Sequence, residues 1–157
     1  MSKRILYDDA EKYLFGVAAN VEATDTVLDI GAGIVPMNYF RPKLHIILEP
    51  HEEYVRILLY RHADDKSVLV LQGSAQDMMP HLTDNSIDSI FMLDLIEHLP
   101  KEDGFMVLRH AERIARRQIL VFTPLGFFPQ HVHDGEKDGW GLSGGALQEH
   151  RSGWFPE

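Results

Sequence analysis

The sequence has no cysteine among its 157 residues, which excludes a disulfide framework, a thiolate zinc site and a catalytic thiol. It has no apolar run near the roughly 20 residues that span a bilayer, and its start lacks the long apolar core of a signal peptide. Basic residues are also few: 15 Lys and Arg stand against 24 Asp and Glu, for a net charge of −9. This balance argues against a general nucleic-acid or anionic-membrane surface, although it is compatible with a local basic patch. We therefore expect a soluble cytoplasmic protein.

Apolar residues make up 45% of the chain, which is enough for one real core at this length and too little for two. We predict a single domain over residues 1–157. Its regular core extends over about 8–125, and a loop-rich tail follows over 126–157.

One apolar stretch, residues 26–30, leads into the glycine-rich turn Gly31-Ala32-Gly33. The two glycines let the backbone turn sharply and let a ligand approach the main chain without meeting a Cβ. Asp29 would repel a pyrophosphate at this turn, and Pro36 stands where a dinucleotide fingerprint has its third glycine. The pattern therefore favours a ligand with an ammonium or sulfonium group. The alternative is a tight turn in which Asp29 only caps local amides.

Acidic residues also follow the next strands of the pattern. The strand at 44–48 ends in Glu49-Pro50, and Glu49 lies 18 residues beyond Gly31, near the offset at which a carboxylate accepts both hydroxyls of a ribose. The strand at 68–71 leads into residues 73–77, where Asp77 suits the amino group of a base. Glu49 could instead be a solvated strand-end residue, and Asp77 could instead cap the short turn that follows it.

Helical periodicity alternates with these strands. It predicts helices from about Asp8 to Asn20, with Asp8 and Glu11 as a capping box, and at 52–63 and 101–117. Further strands are predicted at 87–93 and 118–123. The arginines of the third helix are expected to face away and compensate its C-terminus: Arg109, Arg113, Arg116 and Arg117. The alternation predicts a parallel sheet, which brings the candidate ligand residues to one edge.

This ordered set of motifs resembles the class I S-adenosylmethionine-dependent methyltransferases over roughly residues 10 to 125. The matching segments are 27–33, Glu49, 73–77, 86–90 and 93–99. The resemblance implies an α/β, Rossmann-like fold: a doubly wound, mostly parallel five-stranded sheet of order 3-2-1-4-5 with helices on both faces. It also implies S-adenosylmethionine as cofactor, with the methionine moiety over Gly31 and Gly33 and near Asp94.

The predicted reaction is in-line methyl transfer from the sulfonium, which needs little beyond positioning because the donor is already activated. Asp29 and Asp94 would face the methionine ammonium or water near it, Glu49 the ribose and Asp77 the adenine. The full set of predicted cofactor-binding residues is Asp29, Gly31, Ala32, Gly33, Glu49, Pro50, Ser74, Ala75, Asp77, Leu93 and Asp94.

The sequence departs from the family in two places. The helix and antiparallel hairpin that normally follow strand five are expected to be missing, as in a truncated or minimal form. The uncovered edge of strand five then predicts a homodimer through that edge or through the tail. The first crossover is short and holds Pro36 and Pro42, so that only a turn or two of helix fits there.

The tail is long and has little periodicity, which is typical of a functional loop. It could be a substrate lid in which His131 or His133 acts as general base, and His98 is a third candidate base or a structural histidine. A metal cluster of His131, His133 and Asp134 is a weaker alternative, and we expect no metal site. The remaining alternative is an ordered surface tail whose tryptophans pack on the sheet.

The methyl acceptor is not specified by any motif; the acidic charge favours a small molecule or a glycan. Two other function classes compete. A catalytically inactive binding or scaffold protein could share the fold, since fold does not fix function. An NAD-binding oxidoreductase is disfavoured by Asp29 and by the incomplete fingerprint.

Overall fold

The computed structural model describes residue 5, residues 9–131, residue 133 and residues 135–155, except for the side chains of residues 10, 13 and 14. Five parallel strands form one sheet in the order β3-β2-β1-β4-β5. The strands are β1 (Thr26–Ile30), β2 (Leu44–Glu49), β3 (Val68–Gln72), β4 (Ile87–Leu93) and β5 (Ala115–Phe122). The helices are α1 (Ala10–Asn20), α2 (Glu52–Arg61), α3 (Ala75–Met78) and α4 (Lys101–Ile114). The predicted α/β class, strand order and parallel direction are confirmed.

The central strands are apolar because both of their faces are covered, as is typical of parallel sheets. β1 pairs with β2 so that Ile30 lies beside Leu48, and with β4 so that Leu28 lies beside Ile90. This register brings the carboxyl ends of β1 and β2 level. Gly31 and Glu49 therefore emerge side by side at one edge of the sheet.

The core on one face is built by α3 and α4. Its buried members include Leu28, Ile90, Met92, Met79, Val107, Ala111 and Ile114. The opposite face at β1 and β4 is covered by a loop: Phe91 packs against Tyr39 and Phe40, with ring centroids 5.9 and 6.2 Å apart. The turn of helix expected in this first crossover does not form, because Pro36 and Pro42 interrupt it and its aromatic residues fill the space instead.

The start of α1 differs from the predicted capping box. Asp8 lies outside the described residues, and the N-cap is Asp9, whose Oδ1 accepts hydrogen bonds from the backbone N–H groups of Glu11 (2.9 Å) and Lys12 (3.0 Å). A carboxylate at this position satisfies amides that the first helical turn leaves unpaired.

The boundary between α4 and β5 was also predicted wrongly. The helix ends at Ile114, so Arg116 and Arg117 lie on β5 and do not compensate the helix C-terminus. Arg116 pairs with Asp88 on the neighbouring strand at 2.8 Å, and Arg117 pairs with Glu22. The strand ladder, which begins with Ala115 beside Ile87, outweighs the helix preference of arginine.

The tail returns to the body of the domain. Short β-bridges join Leu125 and Gly126 to Trp154, whose indole is 7% exposed and donates to the carbonyl of Ile96 at 3.1 Å. A 3₁₀ turn over Gly145–Gln148 is the tail's described helical element. In the described part of the chain, none of the helices has the length and apolar character that crossing a bilayer requires.

Candidate active site

The glycine turn after β1 needs glycine at both of its outer positions. Gly31 has φ +66° and Gly33 has φ +57°, a region that side chains rarely adopt. The N–H of Gly31 donates to the carbonyl of Leu48 at 2.8 Å, and the N–H of Val35 donates to Ala32 at 3.0 Å. The turn is thus tied to the end of β2.

Glu49 joins the end of β2 to the glycine turn. Its carboxylate is 3% exposed and accepts from the N–H of Gly33 through Oε2 and from the N–H of His51 through Oε1, both at 2.9 Å. Burial raises the pKa of Glu49, and the two amide donors act against that rise. A carboxylate has about four acceptor sites, so two remain for further donors.

Asp29 fixes the loop that follows the glycine turn. It is 1% exposed, accepts from the N–H of Met37 at 2.7 Å, and lies 3.3 Å from Nε2 of His45. These contacts correspond to the alternative in which Asp29 caps local amides. A direct contact with a cofactor ammonium stays a prediction.

The third predicted group lies at the end of β3. Ser74 is the N-cap of α3: its Oγ accepts from the N–H of Asp77 at 3.1 Å and donates to the Asp77 carboxylate at 2.6 Å. Ala75 is buried, whereas Asp77 and Pro50 are exposed. Asp77 therefore serves as a cap in this structure, and its place beside an adenine stays a prediction.

A cluster of four titratable side chains forms after β4. Asp94, which has an unusual positive φ of +52°, Glu97 and His98 follow the half-buried Leu93, and His150 arrives from the tail. One ligand atom each from Glu97, His98 and His150 lies within 4.8 Å of the others. The two imidazole rings are 4.9 Å apart. We refer to these residues as the post-β4 cluster.

The electrostatics of the post-β4 cluster are unusual. Burial, with repulsion from Asp94, raises the pKa of Glu97 to about 8, while burial also raises the pKa of Asp94. Burial lowers the pKa of His98, which is therefore neutral near pH 7. The Thr123 hydroxyl lowers the pKa of Glu97 in part, but neither carboxylate oxygen makes a hydrogen bond of ordinary geometry among the described residues, and the side chain is 2% exposed.

The tail is pinned to the backbone of the cluster. The carbonyl of Glu97 accepts from the N–H groups of Arg151 at 2.7 Å and Ser152 at 3.1 Å, and the hydroxyl of Ser152 donates to Ile96 at 3.1 Å. These bonds place His150 against His98. Sequence reasoning missed Glu97 and His150 as site residues. The Asp-x-x-Glu-His spacing directly after a strand was the available signal for Glu97, whereas nothing local marks His150.

Trp140 covers the glycine turn. A Cβ added at Gly33 would lie 2.5 Å from Cη2 of Trp140, and one at Gly31 would lie 2.6 Å from Cδ1 of Leu95. The segment around Trp140, residues 136–148, is held to the start of α2, where Ser143 donates to Glu53 from its N–H (2.9 Å) and its hydroxyl (2.5 Å). We call residues 136–148 the covering segment.

Further contacts fix the covering segment. The hydroxyl of Tyr54 donates to Asp138, and the Tyr54 ring packs edge-on against Trp140 with centroids 5.4 Å apart. Asp138 in turn accepts from the N–H groups of Trp140 and Leu142 at 2.8 and 2.9 Å. Burial and the Asp138 carboxylate raise the pKa of Tyr54, which keeps its hydroxyl protonated as a donor.

The two tail histidines predicted as candidate bases are exposed. His131 has Nδ1 3.9 Å from a carboxylate oxygen of Glu149, and the backbone N–H of His133 donates to Glu136 at 3.0 Å. Asp134, the third member of the alternative metal cluster, lies outside the described residues. Among the residues the structure describes, the grouping with metal-ligand geometry is instead Glu97, His98 and His150.

Sequence comparison finds a distant methyltransferase. No protein-family model matches the chain. Over 56 residues it is 36% identical to a small RNA 2'-O-methyltransferase from Tetrahymena thermophila, a stretch that covers 36% of this chain and 13% of that protein.

Structural comparison finds methyltransferases more widely. Phosphoethanolamine N-methyltransferase 1 from Haemonchus contortus, solved with phosphoethanolamine and S-adenosylhomocysteine, superposes with a TM-score of 0.56 at 21% identity, over 68% of this chain and 23% of that one. PKMT2 from Rickettsia typhi, solved with AdoHcy, gives 0.51 at 18% identity, over 60% and 19%. This chain thus spans less than a quarter of each of the three proteins compared. The chain has the fold of the class I S-adenosylmethionine-dependent methyltransferases.

Proposed function

We propose that this protein binds S-adenosylmethionine across the ends of β1 and β2 and transfers its methyl group to an acceptor near the end of β4. The observation that carries the proposal is the buried carboxylate of Glu49, which joins the glycine turn to the end of β2. About two of its acceptor sites remain for hydrogen bonds from a ligand. The Haemonchus and Rickettsia proteins, which share the fold, were each solved with S-adenosylhomocysteine, the product of such a transfer.

Each part of the cofactor would meet a different strand end. Gly31, Ala32 and Gly33 would lie under the methionine moiety, and Glu49 would accept from the ribose hydroxyls. Asp29 would act through the loop that it holds, and Asp94 would face the ammonium or its water. The remaining proposed contacts, on the ribose and adenine sides, are Pro50, Ser74, Ala75, Asp77 and Leu93.

The chemistry is displacement at the methyl carbon. The acceptor atom forms a bond to the methyl group as the sulfur–methyl bond breaks, and the electron pair of that bond stays on sulfur. Holding the acceptor in line supplies much of the rate. His98 is the best-placed candidate base because burial keeps it neutral; His131 and His133 could serve only if the tail moved toward the acceptor.

The covering segment is the proposed lid. Trp140 lies on Gly33, where the methionine moiety would come close to the backbone, so cofactor entry requires Trp140 to shift. The segment is tied to α2 immediately after Glu49 and Pro50, so a displaced lid would loosen contacts beside the ribose acid.

The proposed acceptor is a small molecule or a glycan, in keeping with the net charge of −9. The Tetrahymena relative acts, by its name, on small RNA, and an RNA acceptor is therefore included as an outcome of the test. The predicted homodimer through the edge of β5 or the tail stays a prediction, which the mass from light scattering would decide.

The first experiment is calorimetry of S-adenosylmethionine and S-adenosylhomocysteine on the intact chain and on Glu49→Gln and Glu49→Ala. Loss of the ribose-binding carboxylate should cost on the order of 2 kcal/mol, roughly 30-fold in affinity. Glu112→Ala, an exposed glutamate on α4, is the matched control and should bind as the parent does. Circular dichroism checks that each variant is folded.

Binding of NADH but not S-adenosylmethionine would overturn the proposal in favour of an oxidoreductase. If the cofactor binds, labelled methyl groups are followed into small-molecule, glycan and RNA pools. The second candidate function, a catalytically inactive binding protein, is favoured by the side chains of Leu95 and Trp140 lying over the turn. Cofactor binding with no labelled product in any pool would support it.

A further inference from the structure

We propose that Glu97, His98 and His150 bind a divalent transition-metal cation. One ligand atom from each of the three side chains lies within 4.8 Å of the other two, so that a single ion could contact all of them after small side-chain adjustments. Two imidazoles and one carboxylate form a ligand set that proteins use for zinc and non-haem iron.

The histidines are held in the tautomer that a metal requires. Nδ1 of His98 lies 3.2 Å from the carbonyl of Glu149, and Nδ1 of His150 lies 2.6 Å from the carbonyl of Phe128. A carbonyl oxygen can only accept, so each Nδ1 carries a proton, and Nε2 is the nitrogen that the neutral ring would offer to a metal. Metal-ligating histidines almost always donate their second nitrogen to a carbonyl or carboxylate in this way.

Glu97 supplies an independent reason to expect a cation. Its side chain is 2% exposed, and neither carboxylate oxygen makes a hydrogen bond of ordinary geometry among the described residues, although Thr123 and Asp94 are polar neighbours that affect its pKa. Leaving a buried acceptor unsatisfied is costly, and the Asp94 carboxylate adds repulsion that disfavours the charged form of Glu97. A bound cation would supply the partner that the Glu97 carboxylate lacks.

The site is constructed from two distant parts of the chain. Backbone bonds from Arg151 and Ser152 to the carbonyl of Glu97 fix the tail, and Trp154 donates to Ile96 beneath it. These bonds lock the loop that carries His150 against the 3₁₀ turn Ile96–His98. Imidazole ligands favour zinc, copper, iron or nickel over calcium, magnesium and manganese.

The consequence for catalysis rests on the proposed function. A cation here would bind the oxygen of a hydroxyl acceptor near the end of β4 and stabilise its deprotonated form. The hydroxyl proton passes to solvent, the oxygen forms its bond to the methyl carbon, and the sulfur–methyl bond breaks with its electron pair on sulfur. The substrate class is then an alcohol, as in a sugar or polyol, and His98 is a ligand and not the base.

The test is a titration of the full chain, stripped of metal with a chelator, with CoCl₂, followed by visible absorption and calorimetry. One Co²⁺ is expected per chain. His98→Ala, His150→Ala and Glu97→Gln should each weaken binding at least about 10-fold. His81→Ala, a histidine exposed on the surface, is the matched control and should bind as tightly as the parent.

A folded parent chain that binds no Co²⁺, or ligand variants that bind it as tightly as the His81→Ala control, would overturn the proposal. Circular dichroism accompanies each variant, and Glu97→Gln, which keeps the side-chain shape, decides the outcome if a histidine variant does not fold. S-adenosylhomocysteine binding is measured on the same metal-free protein. If Co²⁺ binds and S-adenosylhomocysteine does not, the metal site stands and the proposed function fails. If S-adenosylhomocysteine binds and Co²⁺ does not, the metal site fails and the proposed function stands.

Discussion

Trp154 packs so closely on Gly104 of α4 that the domain should not tolerate alanine at that position. A Cβ at Gly104 would lie 2.8 Å from Cη2 of the indole and closer still to Cζ2. The indole cannot easily retreat, since its Nε1 donates to Ile96 and Ser152 and the ammonium of Lys101 lies 3.5 Å from the ring centroid. Gly104→Ala should therefore expel Trp154 and release the tail.

Two opposing free energies decide the size of the effect. Alanine gains about 1 kcal/mol over glycine in a helix interior. Losing a buried tryptophan from its site costs about 3–5 kcal/mol. The free energy of unfolding of the domain with its tail docked should thus fall by about 2–4 kcal/mol, and His150 should leave the post-β4 cluster.

The assay is urea denaturation, with hydrogen exchange of the tail amides as the local measurement. A double-mutant cycle supplies the control: in a Trp154→Leu background the collision is gone, so Gly104→Ala should become neutral or stabilise by up to about 1 kcal/mol. If Gly104→Ala stabilises the parent chain, or destabilises both backgrounds equally, the packing argument is refuted.

Two further predictions concern the turn and the sheet. Gly33→Ala should lower S-adenosylhomocysteine affinity and cost about 1–2 kcal/mol of stability, because φ is +57° and the new Cβ would meet the indole of Trp140. The control is Gly139→Ala, where a Cβ meets no atom within 4 Å, and it should change neither quantity. Calorimetry measures the affinity and urea denaturation measures the stability. Burial alone would raise the pKa of Asp88, but hydrogen bonds from Thr26 and an arginine ion pair lower it overall. The stability that Asp88 contributes is therefore present above its unfolded pKa near 4 and is lost as the pH falls through the lower folded pKa. The urea midpoint of Asp88→Asn should then fall less steeply in acid than that of the parent. Parallel profiles of midpoint against pH would contradict this.

Much of the fold could be predicted because its signals are local. The strands that begin at residues 26, 44, 68 and 87 are short apolar runs with turn residues at their ends. Their alternation with helices predicts a parallel sheet. The boundary at Ile114 could not be read in this way. Arg116 and Arg117 favour a helix by propensity, and the pairing of β5 with β4, together with the ion pairs to Asp88 and Glu22, places them on a strand.

The candidate site shows the same division. The position of Glu49 beside the glycine turn follows from two strand ends and a spacing, so sequence reasoning reached it. The environment of Glu97 depends on His150, which is 53 residues away and arrives through backbone bonds that no sequence pattern encodes. Asp29 illustrates a third case, in which the residue is where the pattern predicts and its side chain faces the loop at Met37.

The tail connects the two proposed sites. Trp140 covers the glycine turn and His150, 10 residues further on, completes the post-β4 cluster, with the 3₁₀ turn Gly145–Gln148 between them. The two contacts differ in kind: Trp140 is held through side chains of α2, whereas the loop of His150 is held by backbone bonds and by the buried Trp154. Backbone bonds under a buried indole open less readily than side-chain contacts at a half-exposed surface. The covering segment should therefore open for the proposed cofactor while His150 stays in place, so that the acceptor side of the site is preformed before the methyl donor arrives.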